Sequence, residues 1–290
     1  LNKKPEEVKI AIGRDPRVSG KALRDGLAHG FGPYNVTMYD CGLASTPAMF
    51  MSTIFPEFEC DGAIMITASH LPFNRNGFKY FDKEGGLNKS DIADIIAYAD
   101  GEKTLSADSN NCACSTCEDF QCEQCKPIEA DLIGRYSQHL RELIIRGVAG
   151  ASADTPIDTL NNKPLEGIKI IVDAGNGGGG FYATKVLEPL GADISDSQFL
   201  EPDGNFPNHA PNPEDKAAMA SICEAVKTKG ADFGLIFDTD VDRSAAVDGF
   251  GNPISRNEIV ALAAALVADQ YPGSTVVTDS ITSDQLTKFI

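Results

Sequence analysis

The chain has 290 residues, of which 42% are hydrophobic and 23% charged, a mixture typical of globular proteins with about two domains. Its formal net charge of −17 repels phosphate groups, so the composition argues against nucleic acids and acidic membrane surfaces as partners. The longest apolar run, IVALAAALVA, has ten residues and is too short for the ~20 residues that a membrane-spanning helix needs.

Short β-branched runs alternate with segments of helical period from the N-terminus onwards. Ser19 and Ser90 are predicted caps for two of the helices. The run GAIMITA is apolar throughout, which is typical of a strand covered on both faces. In chain order, this half predicts strand 8–12, helix 19–31, strands 36–40, 62–68 and 77–81, helix 91–99 and helix 129–146.

The polar, proline-bearing stretch 153–167 is predicted to be a linker, after which the alternation starts again. The second half predicts strand 168–174, helices 179–191 and 214–230, strand 232–238, helix 257–270, strand 274–279 and helix 281–290. Strands that alternate with helices indicate an α/β fold with mixed or parallel sheets. We therefore expect two complete α/β domains, residues 1–155 and 156–256, followed by the start of a third at 257–290.

The stretch ITASHLPFNRNGFKYF (66–81) places a hydroxyl and an imidazole at the end of an apolar run. The pair Ser69 and His70 suggests a hydrolytic nucleophile and its base. In extended backbone, however, neighbouring side chains point to opposite faces. No G-x-S-x-G elbow surrounds Ser69 either. A serine–histidine hydrolase is therefore disfavoured, and the hydroxyl requires another role.

The motif DTDVDR (238–243) follows an apolar strand. Alternate side chains of an extended chain share one side, so Asp238, Asp240 and Asp242, here called the aspartate trio, are expected to converge. Close carboxylates repel one another unless a cation lies among them, and an all-oxygen site with few protein ligands favours Mg2+ bound together with a phosphate. An EF-hand is excluded, because its required Gly and Glu positions hold Arg243 and Gly249. The alternative is a solvated acidic loop.

The turn VDAGNGGGG (172–180) fits a dinucleotide-binding fingerprint. Gly175, Gly177 and Gly180 have the G-x-G-x-x-G spacing between a strand and a helix, and Asp193 or Asp196 lies about 20 residues further on. A nucleotide-dependent oxidoreductase is therefore one functional hypothesis. A tight strand-to-helix turn that needs glycine for its backbone explains the same pattern.

The segment GRDPRVSG (13–20) places Arg14 and Arg17 between a strand and a helix whose N-terminus favours anions. In an acidic protein, two guanidinium groups at this point are candidates for binding a phosphate. The alternative is that both side chains are solvated at the surface.

The segment 111–126 holds five of the eight cysteines. Cys114 and Cys117 form one C-x2-C pair, and Cys122 and Cys125 form another, which is the spacing of structural zinc sites. Because the gap between the pairs is short, a redox switch or disulfides fit as well. We predict that this segment is an insertion in the first domain, away from the chemistry.

Four of these segments resemble motifs of the α-D-phosphohexomutase superfamily, which includes phosphoglucomutase and phosphomannomutase. GRDPRVSG resembles its first loop, TASH with NGFK its phosphoserine loop, and DTDVDR its metal loop, while DGNFPNHAPNPED (203–215) is similar to a further family segment. The four occur in the family's order over most of the chain. The resemblance also places VDAGNGGGG at the start of the family's second domain, which disfavours the oxidoreductase.

The resemblance implies a role for each residue that matches a family motif. Ser69 is implied to carry a phosphoryl group and to share one Mg2+ ion with the aspartate trio. Arg243 is implied to contact the phosphate, and His70 to support it. Lys79 is implied to carry the proton of the attacking or leaving hydroxyl, with a pKa lowered by the nearby cation and metal.

The sequence also departs from the family pattern. Leu71 and Phe73 replace polar residues in the phosphoserine loop, and Thr239 and Val241 replace glycines in the metal loop. These changes bear on substrate preference more than on the phosphoserine itself.

The implied reaction interconverts hexose 1-phosphate and hexose 6-phosphate through a hexose bisphosphate, with the hexose and the oligomeric state left open. A non-enzymatic sugar-phosphate-binding or regulatory protein on the same scaffold is the alternative. We expect the chain to be the front part of such an enzyme with little turnover of its own, because the family's sugar-selecting loop and distal phosphate clamp would follow Ile290. Reduced cysteines fit the cytoplasm or a plastid stroma.

Overall fold

The computed structural model describes residues 3–101, 126–278 and 282–289. The predicted zinc or redox cluster, Cys114, Cys117, Cys122 and Cys125, lies outside these ranges, so the zinc, disulfide and redox hypotheses all stay predictions. Within the described part of the chain, no helix combines the length and the hydropathy that crossing a membrane requires.

The described elements follow one another in the predicted α/β alternation. In chain order they are β1 (Lys9–Arg14), α1 (Gly20–Phe31), β2 (Thr37–Leu43), α2 (Thr46–Met51), β3 (Gly62–Ile66), β4 (Phe78–Asp82), β5 (Gly85–Gly86), α3 (Lys89–Ala99), β6 (Ile128–Glu129), α4 (Leu132–Ala149), β7 (Ile170–Asp173), α5 (Lys216–Lys229), β8 (Phe233–Phe237), β9 (Ser244–Asp248), β10 (Pro253–Ile254), α6 (Arg256–Gln270) and α7 (Asp284–Phe289). A π-helical segment, Tyr182–Leu187, follows the glycine-rich turn.

The first six strands form one mixed sheet in the order β5-β4-β3-β1-β2-β6. β1 pairs in parallel with β2 and β3, whereas β4 joins β3 antiparallel. The strand GAIMI of β3 is buried at four of its five positions, as expected for a strand inside a covered sheet. Because β3 and β4 are antiparallel neighbours, the loop between them returns the chain to the same edge of the sheet.

The last four strands form a second mixed sheet in the order β10-β9-β8-β7. β7 and β8 run parallel, and β9 and β10 add to them antiparallel. Since parallel strands end at the same edge, the glycine-rich turn after β7 lies beside the DTDVDR segment after β8.

One hydrophobic cluster joins the two sheets, with members such as Met49 on the first side and Val172 on the second. Aromatic side chains of α4, of the start of the π-helical segment and of β8 also pack against one another at this interface. Tyr136 meets Phe181 edge-on with ring centroids 6.2 Å apart, and Tyr182 stacks on Phe237 at 4.6 Å. The two sheets therefore share a packed interface.

Several sequence predictions need correction. Residues 274–278 form no strand, because they pair with no strand among the described residues and the Val277 side chain is 89% exposed. Asn88, rather than Ser90, caps α3 by accepting hydrogen bonds from the amides of Ser90 and Asp91. Ser19 stands at the predicted cap position of α1, but its hydroxyl accepts no hydrogen bond from an amide of the helix. It accepts one from the side-chain amide of Asn76.

Other elements were missed or misjudged. The predicted helix 179–191 is reduced to the π-helical segment, and α2 and β9 were not predicted. The helices α6 and α7 lie where the start of a third domain was expected, and that domain stays a prediction.

A buried ion pair fixes the segment 203–215 to the end of β7. His209 Nε2 lies 3.0 Å from Asp173 Oδ2, and its Nδ1 lies 2.9 Å from the carbonyl oxygen of Ala210. Both ring nitrogens therefore face acceptors, which favours the doubly protonated ring. Burial lowers the pKa of His209, but the Asp173 carboxylate outweighs this effect and the pKa is raised overall.

We predict that His209→Gln lowers stability most at acidic pH. A raised folded-state pKa gives a contribution that is complete below the unfolded value of about 6.5 and is lost as pH rises through the folded value. The variant should lose about 1–3 kcal/mol at the acidic end. Melting temperatures of the wild type and the variant, measured from below pH 6.5 to above the folded pKa, test this prediction. A difference that stays constant or widens as pH rises would contradict a protonated His209 paired with Asp173.

Candidate functional site

The aspartate trio lies in the turn between β8 and β9, where one carboxylate oxygen of each residue lies within 4.8 Å of those of the other two. Asp238 and Asp240 are fully buried, whereas the Asp242 side chain is 31% exposed. The turn is held by the Asp238 carboxylate, whose Oδ1 accepts hydrogen bonds from the amides of Asp242 and Arg243. The predicted convergence of the three side chains is confirmed.

Two features of the trio fit a hard divalent cation. Burial, together with the neighbouring charges of Asp240 and Asp242, raises the pKa of Asp238 to about 7. Asp240 Oδ1 is buried and has no hydrogen-bond partner among the described residues. A cation among these oxygens would offset the repulsion and give Asp240 Oδ1 a partner, and carboxylate oxygens are ligands that a hard cation such as Mg2+ takes together with water or phosphate oxygens.

The hydroxyl of Ser69 reaches the trio from the other sheet. Its Oγ donates to Asp238 Oδ2 at 3.0 Å and accepts from Arg243 Nη2 at 2.6 Å. The residue lies in the loop between β3 and β4 with a φ of 52°, in the left-handed region that few non-glycine residues adopt. The Ser69 amide donates to Thr67 Oγ1 at 2.8 Å, which supports this conformation locally.

Lys79, on β4, makes the second link between the sheets. Its Nζ lies 2.6 Å from Asp240 Oδ2 and 2.6 Å from Asp242 Oδ2. Burial lowers the pKa of Lys79, but the two carboxylates outweigh it, so the pKa is raised overall. The predicted lowering is therefore wrong for this structure, because the ammonium lies against two anions.

Arg243 brings the second cationic group to the Ser69 hydroxyl. Its Nε lies 3.3 Å from Asp238 Oδ2, and its Nη2 also donates to Nδ1 of His70, which is exposed. Two cations, Arg243 and Lys79, thus offset part of the charge of three carboxylates. The structure brings Ser69 and both cationic side chains to the trio, and His70 to Arg243.

The two arginines of GRDPRVSG lie elsewhere. Arg17 is buried, and all five of its guanidinium N–H groups donate to Asp15 and to backbone carbonyls. The prediction that Arg17 binds phosphate is wrong, because no donor remains for a ligand. Arg14 is half-buried and donates to the carbonyl oxygen of Asp15 at 3.4 Å, and its phosphate-binding role stays a prediction.

The cysteines predicted to bind zinc or to act as a redox switch are not among the described residues, so their role stays a prediction. They are Cys114, Cys117, Cys122 and Cys125. The thiols that the structure does describe, at Cys41, Cys60 and Cys223, are free.

Thr46 was missed by sequence analysis. At the start of α2, its amide donates to the carbonyl oxygen of Asp240 at 2.8 Å, and its hydroxyl donates to Asp240 Oδ2. The available signal was the dipeptide Ser45-Thr46 before a proline, which is typical of a helix start. That pattern predicts α2, but it does not say which loop α2 would meet.

The glycine-rich turn packs against the turn that carries the aspartate trio. The Gly178 amide donates to the carbonyl oxygen of Thr239 at 2.8 Å. A Cβ on Gly177 would lie 2.9 Å from Thr239 Cα, and one on Gly180 would lie 2.3 Å from the carbonyl oxygen of Leu200. These glycines permit close approach of the chain's own backbone, so the oxidoreductase hypothesis loses the feature that motivated it.

Val241 is strained within the trio's turn. Its φ is 64°, although a β-branched side chain rarely adopts the left-handed region. The side chain is buried in the cluster that joins the two sheets. Packing of Val241 therefore compensates for a backbone conformation that costs about 1–2 kcal/mol.

A cleft of about 690 Å³ opens beside the turn. Its walls include Asp242 and Arg243, and Glu214 and Arg256 lie at the same opening. The cleft gives a small polar molecule access to the exposed end of the trio.

We predict that Asp240→Asn weakens divalent cation binding by more than about 100-fold, because it removes a buried anionic ligand. Titration with Mn2+, followed by its paramagnetic signal, measures this in the metal-free protein. Asp25→Asn, on α1, is the matched control and should bind as the wild type does. Equal Mn2+ affinity in the wild type and Asp240→Asn would exclude the trio as the metal site.

We predict that Gly177→Ala lowers the free energy of unfolding by about 1–3 kcal/mol, because the new methyl group would overlap the backbone of Thr239. Gly30→Ala, in α1, is the control: its Cβ would meet no atom within 4 Å, so it should stabilise by up to ~1 kcal/mol. Urea unfolding measures both values. Equal unfolding free energies for the two variants would show that the turn tolerates a side chain.

Comparison with known proteins places this site in a family. Residues 1–105 match the family model for phosphoglucomutase/phosphomannomutase alpha/beta/alpha domain I, and residues 151–251 match the model for domain II. A phosphoglucomutase of Neisseria gonorrhoeae is 31% identical over 272 residues, which are 93% of this chain and 51% of that protein. A phosphomannomutase/phosphoglucomutase of Pseudomonas syringae is 28% identical over 284 residues, 98% of this chain and 53% of that protein.

A crystal structure agrees at the level of the fold. The phosphoglucomutase/phosphomannomutase family protein of Burkholderia thailandensis superposes with a TM-score of 0.74 at 24% identity, covering 97% of this chain and 55% of that one. The chain thus spans about half the length of these relatives. With both family models matched and both mixed sheets present, the chain belongs to the phosphoglucomutase/phosphomannomutase superfamily, of which it contains domains I and II.

Proposed function

We propose that the protein acts in a phosphohexomutase that interconverts hexose 1-phosphate and hexose 6-phosphate. In this proposal Ser69 carries a phosphoryl group, and a hexose bisphosphate is the intermediate. The observation that carries it is the position of the Ser69 hydroxyl, 3.0 Å from Asp238 and 2.6 Å from Arg243, at a trio suited to Mg2+. The names of the relatives, phosphoglucomutase and phosphomannomutase, supply the substrate class.

Electrostatics explains why such groups suit phosphoryl transfer. A phosphate monoester repels an incoming alcohol oxygen until its negative charge is offset. When bound, Mg2+ supplies Lewis-acid neutralisation of a phosphoserine oxygen, and the trio would hold it. The guanidinium of Arg243 already contacts Ser69 Oγ and so offsets charge on the same group.

The transfer needs one proton to leave and one to arrive. As the sugar hydroxyl oxygen forms its bond to phosphorus, the bond from phosphorus to Ser69 Oγ breaks. The hydroxyl proton is lost, and Ser69 Oγ gains one. Lys79, whose ammonium lies 2.6 Å from Asp240 and from Asp242, would give a proton to the leaving Ser69 oxygen and take up the proton that the attacking sugar hydroxyl loses, so that it ends the step charged as it began.

The cleft beside the trio is large enough for the substrate. Its volume of about 690 Å³ lies within the range of small-molecule sites. Arg256 lines the cleft and is paired with Glu214, so it would exchange that carboxylate for a second phosphate of the substrate. A bisphosphate can turn round in such a space and present either phosphate to Ser69.

We predict that the protein, incubated with Mg2+ and glucose 1,6-bisphosphate, gains the mass of one phosphoryl group on Ser69. Phosphoryl transfer from the bisphosphate to Ser69 is expected to need no residue outside this chain. The groups proposed to act in it all lie here: Ser69, Lys79, Arg243 and the trio. Intact-mass analysis followed by peptide mapping measures it, with Ser69→Ala as the test variant and Ser90→Ala as the matched control.

The same experiment separates a catalyst from a binding protein. Phosphorylation in the wild type and in Ser90→Ala, but not in Ser69→Ala, supports the proposal. A protein that binds the bisphosphate without a mass gain is a sugar-phosphate-binding protein. A gain that persists in Ser69→Ala places the acceptor elsewhere and contradicts the proposal.

A further inference from the structure

We propose that Arg17 is a positioning residue that holds the Ser69 loop, residues 67–77, in its reactive shape. The inference deepens the proposed function and rests on it in one respect, the role of Ser69. Arg17 touches neither the trio nor the Ser69 hydroxyl. It acts through the backbone of the loop.

The guanidinium group of Arg17 binds four carbonyl oxygens of one loop. Nη1 donates to Pro72 at 2.6 Å and to Arg75 at 3.1 Å. Nη2 donates to Ser69 at 2.5 Å and to Leu71 at 2.7 Å. The loop therefore wraps around a single planar cation, and the contacts begin at the residue that bears the hydroxyl.

The loop has little else to hold it. Residues 70–75 are all exposed, and its two large apolar side chains, Leu71 and Phe73, are 48% and 56% exposed. Hydrophobic burial thus contributes little to its shape. Polar contacts to the backbone must hold Ser69 at its φ of 52°, a conformation that few non-glycine residues adopt.

Arg17 is itself held rigidly from two sides. Asp15 accepts from Arg17 Nε at 3.0 Å and from the Arg17 amide at 3.0 Å. The same carboxylate accepts from Thr67 Oγ1 at 2.7 Å, and that hydroxyl accepts from the Ser69 amide. Asp15 therefore links the arginine to the loop by a second route.

The other side of Arg17 is covered by the domain that carries the trio. The guanidinium carbon lies 5.3 Å from the ring centroid of Phe206, within range of a cation–π contact. Gly204 lies so close that a Cβ there would be 2.8 Å from Arg17 Cα. Arg17 therefore contacts the Ser69 loop on one side and the segment that carries Gly204 and Phe206 on the other. These contacts fix the position of the loop relative to the trio.

Chemistry explains why arginine occupies this position. A buried cation is costly unless its donors are satisfied, and all five N–H groups of Arg17 are. Lysine keeps the charge but has three donors on a single atom and cannot span four separated carbonyls. Arg17→Lys should therefore loosen the loop while it preserves the charge paired with Asp15.

We expect two effects from Arg17→Lys. The loop amides of Leu71 and Arg75, which donate to carbonyls within the loop, should exchange their hydrogens about tenfold faster. The maximal rate of Ser69 phosphorylation by glucose 1,6-bisphosphate should fall by about 10–100-fold, because a displacement of the order of 1 Å is costly to reaction. The bisphosphate concentration giving half the maximal rate should stay within about twofold, since Arg17 has no donor free for a ligand.

Arg24→Lys, on α1, is the matched control, because Arg24 pairs with Asp25 and Asp40 and makes no described contact with the loop. It should leave both measurements at the wild-type values. Unchanged loop exchange in Arg17→Lys would overturn the proposal. A large rise in the half-maximal bisphosphate concentration at an unchanged maximal rate would also overturn it, since that result assigns Arg17 to substrate binding.

If Arg17→Lys does not fold, Asp15→Asn replaces it, because this nearly isosteric change removes the charge that orients the guanidinium. Faster hydrogen exchange of the loop amides in Asp15→Asn supports the positioning role of Arg17. Exchange at the wild-type rate refutes it. If the wild type accepts no phosphate at all, the proposed function fails. The exchange measurements then decide by themselves whether Arg17 holds the loop.

Discussion

Three carboxylates at the end of one strand are the constraint on which the rest of the site depends. Asp238 and Asp240 are fully buried within a few ångströms of Asp242, and such a cluster is unfavourable unless cations and hydrogen-bond donors surround it. Of its partners, Lys79 lies on β4 of the first sheet and Thr46 at the start of α2, which packs on that sheet. Neutralising the trio therefore also fixes how the two sheets meet.

Close packing of backbone on backbone follows from the same constraint. The turn 238–243 must lie against both the start of α2 and the glycine-rich turn after β7. Gly177 leaves space for the Thr239 backbone, and Val241 accepts a left-handed conformation while its side chain fills the joint core. The glycine-rich motif resembles a ligand-binding fingerprint in the sequence, but in the structure it supports the turn that carries the trio.

The proposed chemistry needs a hydroxyl held beside those charges, and the hydroxyl lies on an exposed loop. Arg17 holds this exposed loop, because its planar guanidinium group binds four loop carbonyls while Asp15 and Phe206 hold the guanidinium group in place. Precision at Ser69 would then come from a buried cation behind the loop. The proposed catalytic groups and the residues proposed to position them come from both domains.

The α/β class, most strands and helices, and the convergence of the trio were predictable from the sequence, because hydrophobic period and strand alternation are local properties. The sequence indicated Ser69, Lys79 and Arg243 through motifs, but it could not place them within hydrogen-bond distance, since up to 174 residues separate the partners. Tertiary structure alone decided that Arg17 is buried with every donor used, that Thr46 meets Asp240, and that the glycines face backbone. It also decided that residues 274–278 pair with no described strand. Each of these outcomes depends on which distant segment occupies the space beside a residue, and no local pattern records that.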